Sequence, residues 1–297
     1  MLKLGTSFYK KIKQRIFGDI KKKYMAATLQ SIKETVAFIQ QKYSHTPVVG
    51  IVLGSGLGSF TQEINIELEL AYDAIPNFPV STVEGHSGKL IFGELGGKKV
   101  VAMAGRFHFY EGYKIEDVVF PIRVMKYLGI QTLLISNAAG GMQKGFKVGD
   151  MMIIKDHISM LTVNPLIGKN EEEFGPRFPD MSEPYKKDLI VKAKAIAAAA
   201  NYELKEGVYI GVTGPTFETR AEYKMLHIMG GDAVGMSTVQ EVIVAAHMGL
   251  PVFAISVITD IGIREEENTI THEEVLQAAK EAEPKLTHIF KELVAQL

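Results

Sequence analysis

At 297 residues, 46% of them hydrophobic, the chain is long enough to bury a large core as one α/β domain or two smaller ones. A formal net charge of −1 and a pI near 6.7 give no bulk electrostatic case for binding nucleic acid or a membrane surface. The sequence has no cysteine, which excludes disulfides and thiolate metal sites, and no apolar run reaches the roughly 18 residues of a membrane helix. A soluble cytoplasmic enzyme is the expectation.

Residues 1–24 stand apart as a basic extension: positions 1–23 carry eight Lys/Arg against one Asp. They lack the roughly 7–15-residue apolar stretch of a secretory signal, so the folded unit is expected over 25–297. Leu29, Ile32, Val36 and Ile39 fall at helical spacing and predict the first helix. A continuous apolar run over 48–53 then predicts a strand buried on both faces, opening into Gly54-Ser55-Gly56-Leu57-Gly58. Glycines there let backbone amides approach an anion, and Ser55 adds a hydroxyl. The dinucleotide fingerprint fails because Ser59 stands where the third glycine is needed. The ATP loop fails on spacing at Gly85-His86-Ser87-Gly88-Lys89. A small oxyanion remains.

Residues 64–70 alternate apolar and polar, as a strand with one wet face does. A second glycine-bracketed loop carries His86. The strand over 98–104 leads into Gly105-Arg106-Phe107-His108-Phe109-Tyr110, and a helix over 115–128 leads to a strand over 132–136 followed by Asn137-Ala138-Ala139-Gly140-Gly141. A short strand over 151–154 precedes a long irregular segment, 164–184, which contains Phe174. Loops of that length usually carry function. A helix over 185–200, a strand over 208–212, the stretch Gly214-Pro215-Thr216-Phe217-Glu218-Thr219, a loop at 235–238 and a strand over 252–259 ending at Asp260 follow in order. Thr271 and Glu274 have capping-box spacing for a last helix, which Pro284 is expected to kink or divide. This alternation predicts one α/β domain with a mixed, mostly parallel sheet and a site at the carboxyl ends of its strands.

Ser55, Arg106, His108 and Ser237 are the anion candidates, since a guanidinium fork matches two oxyanion oxygens and hydroxyls and imidazole supply single donors. Glu218, just past a strand, is suited to accept from a base edge, while Tyr110, Phe217, Met236 and His272 fit a sugar or a planar ring. No nucleophile–base pair, two-His metal motif or GxSxG elbow is present.

GSGLG, EGHSG, GRFHFYEGY, SNAAGG, GPTFET, VGMSTVQEV and SVITD together resemble the trimeric purine nucleoside phosphorylases, in order from about residue 25 to the C-terminus. The resemblance implies a distorted barrel flanked by helices, and reversible cleavage of purine (deoxy)ribonucleosides by orthophosphate, with no cofactor or metal. It implies that phosphate is bound by Ser55, His86, Arg106, His108, Ala138 and Ser237. Tyr110, Met236 and His272 would contact the sugar. Phe217, Glu218, Val234, Thr259 and Asp260 would surround the base, with His108, Glu218 and Asp260 as the catalytic set. Phe174 would be lent to the neighbouring subunit of a homotrimer. Two alternatives stay open: a 5′-methylthioadenosine phosphorylase, and a silent nucleoside- or phosphate-binding module. Asp260 departs from the family pattern, where 6-oxopurine-specific members carry Asn. An ionised Asp only accepts, as do N7 and O6 of a 6-oxopurine, so Asp260 must be protonated, use a water or turn away.

Overall fold

The computed structural model describes residues 28–80, 82, 87–263 and 270–297. His86 and the basic extension lie outside them. Among the described residues nine strands form one sheet: β1 (Val49–Val52), β2 (Asn65–Ala71), β3 (Lys89–Leu95), β4 (Lys98–Ala104), β5 (Thr132–Gly141), β6 (Met151–Ser159), β7 (Leu204–Gly211), β8 (Ala233–Gly235) and β9 (Val252–Ile261). The spatial order is β2-β3-β4-β1-β5-β8-β7-β6-β9, and β9 also pairs with β5. That last pairing closes five strands, β5-β8-β7-β6-β9, into a barrel and leaves β1 to β4 as a wing. The sheet is mixed: β1 runs parallel to β4 and β5, whereas β2, β3 and β4 are antiparallel neighbours. Among the described residues six α-helices flank it: α1 (Leu29–Gln40), α2 (Ile115–Leu128), α3 (Lys187–Ala199), α4 (Arg220–Ile228), α5 (Val239–His247) and α6 (His272–Ala295).

Local chemistry explains the helix starts. Thr28 caps α1 by accepting from the Ser31 amide, and the predicted stripe Ile32, Val36 and Ile39 is buried beneath it. Thr271 and Glu274 form the expected capping box at the head of α6. Pro284 does not divide that helix, which runs unbroken for 24 residues. A proline inside a helix costs about 3 kcal/mol. Beyond Pro284, burial of Leu286, Ile289, Phe290 and Leu293 offsets that cost.

Two strand expectations change. The strand expected over 132–136 runs on through Asn137 to Gly141 as the second half of β5, with a register shift opposite β9 between Ala139 and Gly140. Small residues suit a strand flanked by backbone on both sides, and the shift is where a site residue is re-aimed. On β2, Leu70 is buried as the alternation predicts but Ile66 is exposed, because β2 is an edge strand with a bulge between Ile66 and Leu68. No helix among the described residues is long and apolar enough to cross a membrane.

The long α6 touches several parts of the wing. Gly56, at φ +76°, lies against Leu276 and Ala279, where a Cβ would come within 2.7 Å of the Ala279 methyl. The Phe60 amide donates to Glu283 Oε1 (2.9 Å). At the far end, the Gly96 turn between β3 and β4 rests on Ala295, and Lys98 Nζ donates to the Leu297 carbonyl (2.9 Å).

Candidate active site

One cavity opens at the ends of β1, β4, β5, β8 and β9, and it gathers residues from across the chain. Its first wall is built on a buried cation. Arg106, just after β4, is only 1% exposed. Its Nε pairs with Glu241 Oε1 (3.1 Å) on α5, and its Nη1 donates to the Ser136 carbonyl (2.8 Å) and to Ser237 Oγ (3.1 Å). A buried pair of this kind survives only with such additional bonds, which also fix the plane of the guanidinium.

Ser237 is held by an unusual backbone. Thr238 has φ 72° and ψ −55°, and the Val239 amide donates to the Ser237 carbonyl (2.8 Å) across it. This is the rare, strained γ-turn, adopted here by a β-branched residue at a cost of about 1–3 kcal/mol. The surroundings hold it in place: Thr238 is fully buried and its hydroxyl accepts from Asn137 Nδ2 (2.8 Å) on β5. The turn presents Ser237 Oγ to both Arg106 and the cavity.

His108 is fixed from below. Glu111 Oε1 accepts from its backbone amide (2.7 Å) and faces its Nδ1 at 3.2 Å, so Nδ1 is the protonated nitrogen. Desolvation alone would raise Glu111, but hydrogen bonds from His108 and from the Thr82 hydroxyl and amide hold its pKa down, at about 2. The His108 ring stacks on Tyr110 (centroids 4.8 Å apart, 16° between planes). Burial, with the Glu111 charge added, pushes the Tyr110 phenol up to about 12, so it acts as a neutral hydroxyl. Tyr110 and Met236 both pack against Gly214, where any Cβ would lie 2.3 Å from Met236 Sδ.

The opposite wall carries two carboxylates. Glu218 follows β7, and burial raises its pKa. Asp260, near the end of β9, accepts from the Tyr223 hydroxyl at Oδ2 (2.9 Å) and from the Thr259 hydroxyl at Oδ1 (3.2 Å). Tyr223 comes from α4, and its phenol also lies within reach of Glu218. Burial, then the two carboxylates, hold that phenol well above the usual tyrosine range.

Of the residues singled out in the sequence, Ser55, Arg106, His108, Ala138 and Ser237 line this cavity, and so do Tyr110, Phe217, Glu218, Val234, Met236, Thr259, Asp260 and His272. Phe174 does not, and the expectation for it needs correction. Its ring is packed into its own chain at 8% exposure, under the Arg123 guanidinium (4.1 Å) and edge-on to Tyr127 (6.0 Å). A ring held this way has no face to lend to a neighbouring subunit. Sequence reasoning missed Glu241, Asn137, Tyr223 and Glu111. Glu241 sits three residues after Thr238, in the first turn of α5, and a buried carboxylate there was the available signal.

Residues 48–295 match the phosphorylase superfamily. Purine nucleoside phosphorylase 1 of Bacillus subtilis is 50% identical over 89% of this chain and 98% of its own length. The purine nucleoside phosphorylase of Rattus norvegicus is 47% identical over 87% of this chain and 92% of its own. The crystal structure of the Schistosoma mansoni enzyme in complex with inosine superposes with a TM-score of 0.87 at 42% identity, covering 92% of this chain and 98% of that one. A matched sequence, a matched fold and a cavity lined by a buried arginine and two carboxylates agree: the chain belongs to the purine nucleoside phosphorylases of the phosphorylase superfamily.

Proposed function

We propose that the cavity binds orthophosphate at its Arg106 wall and a purine nucleoside across to Glu218, and catalyses reversible phosphorolysis to free base and (deoxy)ribose 1-phosphate, with inosine and guanosine preferred. One observation carries this reading: Arg106, held by Glu241 and Ser237, and Glu218 line the same cavity. Ser55, Arg106, His108, Ser237 and the Ala138 amide would hold the dianion, with His86 added from outside the described residues. A phosphate oxygen bonds to C1′ as the C1′–N9 bond breaks, and the bonding pair leaves with the purine. The sugar passes through an oxocarbenium-like state that the held dianion stabilises, so positioning and charge carry the rate and no cofactor is required. Tyr110, Met236 and His272 would orient the sugar. Phe217 and Val234 would cover the base, and Glu218 would accept from N1–H, a donor found on 6-oxopurines and not on 6-aminopurines.

Activity is tested by incubating the protein with inosine with and without phosphate. Hypoxanthine release only with phosphate is expected, and phosphate-independent release or none at all overturns the reading. We also propose a cytoplasmic homotrimer, supported by the family resemblance and without a contribution from Phe174 to a second pocket. Light scattering of active protein at three times the chain mass is the expected result.

A further inference from the structure

The Tyr223 hydroxyl sits between the two carboxylates of the base wall, and none of the proposed steps uses it. Its ring is locked in a notch that only glycine permits. A Cβ on Gly140 would lie 2.6 Å from the phenol oxygen and 3.0 Å from Asp260 Oδ2, and one on Gly262 would lie 2.1 Å from the ring. The ring is 2% exposed, so the hydroxyl cannot swing to solvent. It donates to Asp260 Oδ2, while the Thr259 hydroxyl reaches Oδ1, the nearer of its two acceptors.

An ionised Asp can meet the purine edge only as an acceptor. It repels O6 and N7 of a 6-oxopurine and attracts the exocyclic amine of a 6-aminopurine. The donor already on Oδ2 weakens both effects, because the carboxylate is satisfied by the protein. We propose that Tyr223 is a specificity-positioning residue: by occupying Asp260 it keeps that carboxylate from recruiting 6-aminopurines and leaves the choice of base to Glu218. This inference rests on the reading of the cavity as a purine nucleoside site. It answers how a carboxylate is tolerated beside a 6-oxopurine, since a protein donor already occupies Oδ2 and Asp260 needs no proton.

The test is the inosine-to-adenosine ratio of kcat/KM in wild type, Tyr223→Phe, Asp260→Asn and the double variant. Tyr223→Phe removes one oxygen and keeps the ring in its notch. The ratio is expected to fall about tenfold, through a gain on adenosine as the released Oδ2 accepts from the 6-amino group. In the Asp260→Asn background the same substitution is expected to leave the ratio within about twofold, since the residue acts through Asp260. Should the phenylalanine variant not fold, Tyr223→Met fills the notch without a donor and serves instead. An unmoved or rising ratio, an equal loss on both substrates, or an equal shift with and without Asp260 overturns the inference alone. Wild type that releases no base from either nucleoside overturns both the phosphorylase reading and this inference.

Discussion

At the wall proposed for phosphate, Arg106 is 1% exposed and tied to Glu241, Ser136 and Ser237, whereas at the wall proposed for the base, Phe217 is 40% exposed and Glu218 half-buried. The anion wall is assembled entirely from protein–protein bonds, including a strained γ-turn, before any ligand arrives. The Glu218 wall has a fixed Tyr223–Asp260–Thr259 set beside an open ring face at Phe217. A dianion needs dipoles fixed in advance, because reorganising them during reaction would forfeit their benefit. A purine needs shape and a donor–acceptor pattern, which a half-open wall can supply.

Breaking the anion wall should give the largest effect. Glu241→Ala leaves the Arg106 guanidinium buried beside an empty position. Removing one partner of such a pair costs about 3–5 kcal/mol, so urea unfolding is expected to show a loss of that size. A change under about 1 kcal/mol means that Glu241 does not hold Arg106. Next comes Arg106→Ala, which removes a charge-assisted contact worth about 1.5–3 kcal/mol. Phosphate KM should rise and turnover fall, together about ten- to a hundredfold, and unchanged phosphate kinetics refute the anion assignment.

At the base wall the change is in selectivity. Asp260→Asn exchanges an acceptor for a group that donates to O6 and N7, so the inosine-to-adenosine kcat/KM ratio is expected to rise about tenfold. If it stays level or drops, a donor at position 260 does not reach the base.

The smallest effect is a pH dependence at Glu111. Its folded pKa lies below the ordinary carboxylate value, at about 2. Its bonds to His108 and Thr82 therefore stabilise the fold fully above about pH 4.5 and are lost as pH falls toward 2. The melting temperature should drop over that interval, and by less in Glu111→Gln. Parallel curves for the two proteins would remove Glu111 from this role.

Much of the fold was legible in the sequence. The 3.6-residue stripe of α1, the capping box of α6 and the buried run into Gly54 all read correctly because each is a local signal. The motifs after strands also read correctly, since β-strand ends converge in an α/β sheet. The failures have physical causes. β8 has three residues, too few for a period, and the Ala-Gly half of β5 lacks the branched residues that announce a strand. Glu241 and Arg106 are 135 positions apart, and Tyr223 and Asp260 are 37 apart, so neither pairing leaves a local trace. Phe174 was assigned to a neighbour's site by the family resemblance alone, and the buried Arg123 guanidinium stacked over its ring leaves no trace in sequence.

The α6 helix works as a strut. At 1.5 Å per residue its 24 residues reach about 36 Å, from His272 in the cavity to Ala295 under the β3–β4 turn. On the way it bears on Gly56 and Phe60, the loop that follows Ser55. A stiff rod seated at both ends transmits a shift at either end to the other. The His272 end, the loop after Ser55 and the β3–β4 turn are therefore all mounted on one element. For anyone engineering this scaffold, the last turn of α6 is as much a part of the active site's mounting as the loops that touch the ligand.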